Sequence, residues 1–331
     1  MTHLPWFERT SRCLKLLSTL LAMTLLASCG SSKKYEEFIP TRILSIGDAM
    51  SYMDLTGAAA VNSLTSIDPN TGSTDHWLWV YAAAYGLTNK GGPNSGGNVL
   101  FFNNDPAQVP DSADLTRDTL GKYAAISTQA NSLPPPQSGD LVVISIGMGD
   151  IFARAQTLEA GPTAATTTDI DALKNIGLAY ANLADSIYQR GFKHVLIVPA
   201  VDYSSSPYAA SLSATYRSNL GVLTEALNFG VNHNCNGGCA SLLDSKPYPT
   251  RSEGVWKFAS YEFMLNIARR NPASVQFDMD TTLPTNPRTD LYNLGNPNLP
   301  YYYSTELFPT PALHRLVGTY LYNMSRSYSG F

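Results

Sequence analysis

The sequence predicts an α/β three-layer sandwich: a mostly parallel sheet with helices on both faces. Three observations carry this. Short continuous apolar runs, Ile43 to Ile46, Leu141 to Ile146 and His194 to Val198, have the length and composition of strands buried on both sides. Long segments with apolar residues at helical spacing lie between and after them. Strands that alternate with amphipathic helices assemble into parallel sheets covered on both faces.

The first 28 residues read as an export signal. Arg9, Arg12 and Lys15 form a basic start, and Leu16 to Leu26 is an apolar core too short to span a bilayer. The core ends in Leu26-Ala27-Ser28-Cys29-Gly30, similar to a bacterial lipobox, in which Cys29 becomes the acylated first residue of the mature chain. A plain secretory peptide or an uncleaved anchor is the alternative. Several acyl chains at ~0.8 kcal/mol per buried CH₂ would hold the protein on membrane lipid. The absence of Asp after the cysteine resembles lipoproteins sorted to the outer membrane. Residues 29–38 then form a polar tether, and 39–331 a single domain.

Composition narrows the class. The 331 residues are 44% apolar and 15% charged, enough to bury a sizeable core and unlike a disordered chain. A net charge of −4 gives no electrostatic reason to expect nucleic acid. After export, two cysteines remain besides Cys29, namely Cys235 and Cys239, with Asn236-Gly237-Gly238 between them. In an oxidising compartment they are most simply a disulfide. A metal held by that pair and His233 is the weaker alternative, and no metal or cofactor is expected.

In chain order, the pattern predicts strand 43–46, a helix over His76 to Gly86 and a short run at Val99 to Phe102. A helix over Asp114 to Gln129 and the strand 141–146 follow. Next come a long helix from about Thr167 to Arg190, with Leu173, Ile176, Tyr180, Leu183 and Ile187 on one face, and strand 194–198. A helix over Ser211 to Phe229, an irregular stretch Pro284 to Tyr303 and a last helix over Pro311 to Arg326 complete the chain.

The turn after the first strand carries the functional signal. Gly47-Asp48-Ala49-Met50-Ser51 sits where open α/β sheets place ligand sites, at a strand's carboxyl end. It resembles the first block of the SGNH/GDSL hydrolases, Gly-Asp-Ser-Leu-Ser-Asp, with Ala49 at the nucleophile position. Gln137 to Ala153 is similar to the third block, an apolar strand then Gly-x-Asn-Asp: Gly147 and Asp150 match, and Gly149 stands for the oxyanion-hole Asn. Thr305-Glu306-Leu307-Phe308-Pro309-Thr310 is similar to the last block, Asp-x-x-His-Pro-Thr, with Thr305 and Phe308 replacing the catalytic pair. Ala259 to Pro272 resembles a helix of the outer-membrane esterase branch. The second-block glycine falls within Gly91 to Gly97 or, in another register, on Asn103 or Asn104.

The resemblance implies a hydrolase fold without its chemistry. Ala49 has no oxygen to attack an ester, Phe308 accepts no proton and Thr305 cannot stabilise an imidazolium. A missing oxyanion donor at Gly149 alone is worth roughly 10²–10³ in rate. The expectation is a pseudoenzyme whose former cleft, made more apolar, binds an acyl or glycan ligand or a partner. A hydrolase with a site relocated onto Ser51, Ser45, His314, Asp48 or Asp150 and a structural envelope lipoprotein are the alternatives. For Asp48 the bland role is a turn-forming Asp, for Ser51 a helix cap or exposed hydroxyl, and for His76, His194 and His314 packing or capping.

Overall fold

A computed structural model describes residues 38–52, 76–103, 121–161, 163–234, 240–241, 254–258, 292–293, 296–300, 303, 307 and 311–327. The strands are β1 (Arg42–Gly47), β2 (Lys90–Gly91), β3 (Val99–Phe101), β4 (Asp140–Ser145) and β5 (His194–Val198). They continue with β6 (Ala240–Ser241), β7 (Gly254–Lys257) and the separate pair β8 (Tyr292–Asn293) and β9 (Asn296–Pro300). The helices are α1 (Trp77–Ala84), α2 (Tyr123–Asn131), α3 (Met148–Glu159), α4 (Thr167–Gln189), α5 (Pro207–Ala210), α6 (Ala214–Asn234) and α7 (Pro311–Ser327).

Seven strands form one sheet in the order β2-β3-β1-β4-β5-β7-β6, and every pairing in it is parallel. Without the two-residue edges β2 and β6, the order is that of a doubly wound flavodoxin-like sheet. The chain leaves β1 toward β3 on one side and returns to β4 on the other. Right-handed crossovers in opposite directions place helices on opposite faces. The contacts agree: α1 packs with α7, whereas α2, α3, α4 and α6 pack among themselves. The α/β three-layer sandwich is therefore present.

The interior strands explain the apolar runs. β4 and β5 are buried along their whole length and β1 at every residue but Arg42, so neither face needs polar alternation. Helices α4 and α6 approach closely because each offers a glycine at the crossing. A Cβ on Gly177 would lie 2.0 Å from the Leu227 carbonyl oxygen, and one on Gly230 2.0 Å from that of Lys174. The start of α4 is fixed by a capping box between Thr166 and Asp169, and Asp169 also pairs with Arg154.

The amino edge of the sheet is locked where the domain begins. Thr41 and Arg42 both donate backbone N–H groups to the Gly139 carbonyl. The Arg42 guanidinium meets both Asp140 oxygens at 2.7 Å in a bidentate fork. Phe38 stacks on the His194 ring at 3.5 Å, and the Trp256 ring lies nearly parallel to it at 5.7 Å.

Several expected boundaries shift by a few residues. The helix expected from residue 76 begins at Trp77, with His76 as its cap, and α6 runs on to Asn234. The helix expected over 114–129 is corrected: its described part starts at Tyr123, after the positive-φ Gly121, and continues to Asn131. The stretch 284–303 is not wholly irregular, since β8 and β9 pair within it. Helix α3 and strand β7 went unpredicted. The proposed helix 259–272, residues 1–37 with Cys29, and Cys235 and Cys239 lie outside the described residues.

Candidate functional site

The sheet's switch point lies between β1 and β4, and the turn after β1 arrives there. Gly47 carries a φ of +147°, and a Cβ on it would meet the Ser145 carbonyl oxygen at 2.5 Å, so only glycine lets β1 end against β4. Gln129 of α2 brackets the same residue. Its Oε1 accepts from the Gly47 N–H at 2.7 Å, and its amide nitrogen donates to the Gly47 carbonyl at 3.2 Å.

Asp48 follows and is fixed by every polar atom it has. Its N–H donates to the Ser145 carbonyl. Its carbonyl accepts from the Ser51 N–H, the Ser51 hydroxyl at 2.9 Å and the Asn103 side-chain amide at 2.7 Å. Its carboxylate accepts from the Ser145 hydroxyl at 2.6 Å, the Met148 N–H at 3.2 Å and the Met50 N–H at 3.1 Å. Burial pushes the Asp48 carboxyl up to about 6; these donors pull against the rise without cancelling it. The turn-forming role expected for Asp48 holds, and it extends across the switch point to β4 and α3.

Ala49 begins a single turn of 3₁₀ helix, Ala49–Ser51, capped by Asp48, and is 1% exposed. Gly147 caps α3 in the left-handed region at φ +96°, where Ala200 and Leu227 leave no room for a Cβ. Gly149 lies under another stretch of chain: a Cβ there would sit 2.9 Å from Gly121 C and Lys122 N. Gly121 in turn rests on Asp48, its own missing Cβ falling 2.4 Å from the Asp48 Cα. Asp150 accepts from the Tyr180 hydroxyl at 2.6 Å and the Tyr123 N–H at 3.1 Å, which ties α3 to α4 and α2. Burial and the neighbouring Asp150 charge raise the Tyr180 phenol well above its ordinary value, so it stays a donor.

The structure thus brings Asp48, Ala49, Gly147, Gly149 and Asp150 together at one sheet edge. Thr305 and Phe308 lie outside the described residues. One expectation is corrected. Ser51 is not an exposed hydroxyl; it is fully buried and bonded back to Asp48. Asn103 leaves the carboxyl end of β3, the strand beside β1, and its side-chain amide reaches the Asp48 carbonyl, whereas Gly97 precedes that strand. Ala49 and Gly149 are both buried, and the Gly121–Lys122 backbone lies over Gly149.

Among the described residues, His76, His194 and His314 do not pair with a hydroxyl or a carboxylate. His76 caps α1 through Nδ1, which accepts from the Leu78 N–H, and its Nε2 donates to the Met50 carbonyl at 3.2 Å. His314 Nδ1 accepts from the Trp77 N–H at 3.3 Å. The two rings stack at 5.4 Å, and burial lowers His76 to about 3 and His314 well below its ordinary value. Burial also lowers His194, to about 4, at the far edge of the sheet. No group of three metal-ligating side chains occurs among the described residues.

Asn103, Gln129, Ser145 and Gly121 are the site residues sequence reading passed over or left undecided. Only Asn103 had a signal, its place just past a short apolar run. A scan against protein-family models finds no matching family, and a search of curated proteins finds no match.

Proposed function

We propose that this chain is a lipid-anchored cell-envelope protein, similar to SGNH/GDSL hydrolases, that has given up ester cleavage and acts by binding. The observation that supports this best is the state of the turn after β1. The residue at the nucleophile position is Ala49, and the acid beside it spends its carboxylate on Ser145, Met148 and Met50. The Gly121–Lys122 backbone fills the volume an Asn at 149 would use to reach an oxyanion. Without a hydroxyl in reach of an imidazole, no described group can start an acyl transfer. An acyl or glycan ligand, or a partner protein, would then engage the carboxyl edge beyond Ala49 rather than the buried turn itself. Anchoring rests on Cys29 and the apolar segment before it.

The test has two parts. Purified protein assayed with aryl acetate, butyrate and octanoate should show no saturable hydrolysis above a Ser51→Ala control; turnover that disappears with Ser51→Ala would overturn the reading. Detergent-phase partitioning should be lost in Cys29→Ser, and native mass spectrometry of the detergent-released protein should show a bound lipid or glycan if the edge holds a small ligand.

A further inference from the structure

We propose that the stacked His76–His314 pair is an acid-released latch, holding α7 to the start of α1 and, through Met50, holding the turn that contains Ala49. The geometry requires both rings to be neutral with the proton on Nε2. Each Nδ1 faces a backbone N–H, Leu78 for His76 and Trp77 for His314, and an N–H can only donate. These are first-turn amides of α1, which have no acceptor within their own helix. A proton arriving on either Nδ1 turns an acceptor into a donor pointed at a donor. On His76 that removes the cap of α1; on His314 it removes the tie from α7.

Among the described residues, none offers a charged ring compensation. The rings lie 5.4 Å apart with planes 25° from parallel, so a charge on one opposes a charge on the other. His314 Nε2 is buried without a hydrogen-bond partner among the described residues. Phe101 of β3 meets the His76 ring edge-on at 5.8 Å, and β3 holds no ionisable side chain. On α1 the one titratable group is Tyr81, whose phenol is raised by burial. On α7 the neighbouring charge is the exposed Arg315, and from β2 Lys90 adds a repulsive positive field. Asp48 is the acid in the described turn, and its carboxylate is spent on Ser145, Met148 and Met50. The Met50 carbonyl accepts from both His76 Nε2 and Trp77 Nε1, the latter at 3.0 Å, so release of α1 frees the Ala49–Ser51 turn as well. None of this depends on whether that turn descends from a nucleophile elbow.

Hydrogen exchange of the full chain in detergent micelles tests the latch, comparing α7 with α4 as an internal reference at pH 7 and pH 5, after correction for intrinsic rates. An open-state ring titrating near 6.5 multiplies the opening ratio by up to ten per pH unit below that value. α7 should therefore open about 30-fold more at pH 5 for one ring and up to about 10³-fold for two, while α4 is unchanged. Equal acceleration of α4, or a flat α7, overturns the proposal. His314→Gln and His76→Asn keep an acceptor oxygen that takes no proton, so the acid response of α7 should disappear in the double variant; its persistence overturns the proposal. Nitrogen-15 spectra of the wild-type imidazoles are independent of how the variants fold. They should show bare Nδ1 and protonated Nε2 in both rings at pH 7, and a protonated Nδ1 in either ring overturns the proposal.

Discussion

The two edges of the sheet bury charge in opposite ways. At the amino edge Asp140 is matched by a guanidinium: Arg42 supplies a two-pronged fork, and the Gln137 N–H takes a remaining lone pair. At the carboxyl edge Asp48 is just as buried but faces a hydroxyl and two amides, and no cation among the described residues. Uncharged donors offset less of the desolvation of a carboxylate than an opposite charge does, which is why the Asp48 carboxyl rises to about 6. The amino edge is built to hold the chain where the domain starts. The carboxyl edge is built around a group under electrostatic tension, with the buried Ala49 next to it.

The strongest way to break this comparison is to disturb the glycine contacts that close the carboxyl edge. Gly121→Ala puts a side chain into the left-handed region at φ +77° and a Cβ 2.4 Å from the Asp48 backbone, so a loss of about 4 kcal/mol or more in urea unfolding is expected. Gly149→Asn, the side chain that the proposed SGNH kinship would put there, brings a Cβ to 2.9 Å from the Gly121–Lys122 backbone and should lose about 3 kcal/mol. Combining Ala49→Ser, Gly149→Asn, Thr305→Asp and Phe308→His in one chain should therefore yield no esterase activity until the 121–122 segment is also moved. Gly96→Ala, with nothing within 4 Å of its added carbon, serves as the control and should change stability by less than about 0.5 kcal/mol. If Gly149→Asn is as stable as the control, the carboxyl edge is open in solution.

At the amino edge Asp140→Ala leaves the Arg42 guanidinium, only 15% exposed, without its counter-charge. Stranding one member of a largely buried pair costs about 3 kcal/mol, and chemical denaturation should show it. A loss under about 1 kcal/mol would mean water reaches Arg42, and the contrast between the edges would weaken.

The pH profile separates two buried groups beside the turn after β1 by sign. The Asp48 carboxyl titrates higher in the folded chain than its ordinary 3.8, so the folded state holds that proton more tightly. The stabilisation this gives is complete below about pH 4 and is lost as pH rises through about 6, a swing of about 3 kcal/mol. Asp48→Asn removes the proton equilibrium. The variant's stability relative to wild type should improve by about that amount between pH 4 and 7, measured as a difference of urea midpoints. His76 works the other way: lowered to about 3, it contributes stability that is complete above its ordinary 6.5 and fades as pH falls toward 3. A flat Asp48→Asn difference would show that the carboxyl ionises normally and that the edge is wetter than its burial implies.

Much of this was legible in the chain because it depends on local pattern. β1, β4 and β5 are continuous apolar runs, and α4 has a period and a capping pair that sequence displays directly. Helix α3 was not legible, because its first residues are Gly147, Met148 and Gly149, a glycine-flanked start whose conformation is set by the switch point and not by propensity. The short β7 carries too few residues to show a period. At the site, Asp48, Ala49 and Asp150 could be singled out by resemblance. That Gly121 would lie over Gly149, or that Gln129 would reach Gly47 across 82 positions, is long-range geometry that no local window contains. The same holds for the pairing of His76 with His314, near opposite ends of the domain in sequence and stacked in space.

The smallest expected effect belongs to Tyr180→Phe. The change removes one donor, at 2.6 Å, from Asp150, and leaves the ring free to keep its edge-on contact with Tyr123 at 5.2 Å. Asp150 would retain the Tyr123 N–H and lies in the first turn of α3, where the helix dipole favours a negative charge. One hydrogen bond to a charged acceptor with those supports left in place is worth about 1.5 kcal/mol. Thermal unfolding should register that amount and no more. A loss above about 3 kcal/mol would place Asp150 in the same condition as Asp48, a second buried acid with nothing in reserve, and the tension at the carboxyl edge would then be shared by two carboxylates instead of resting on one.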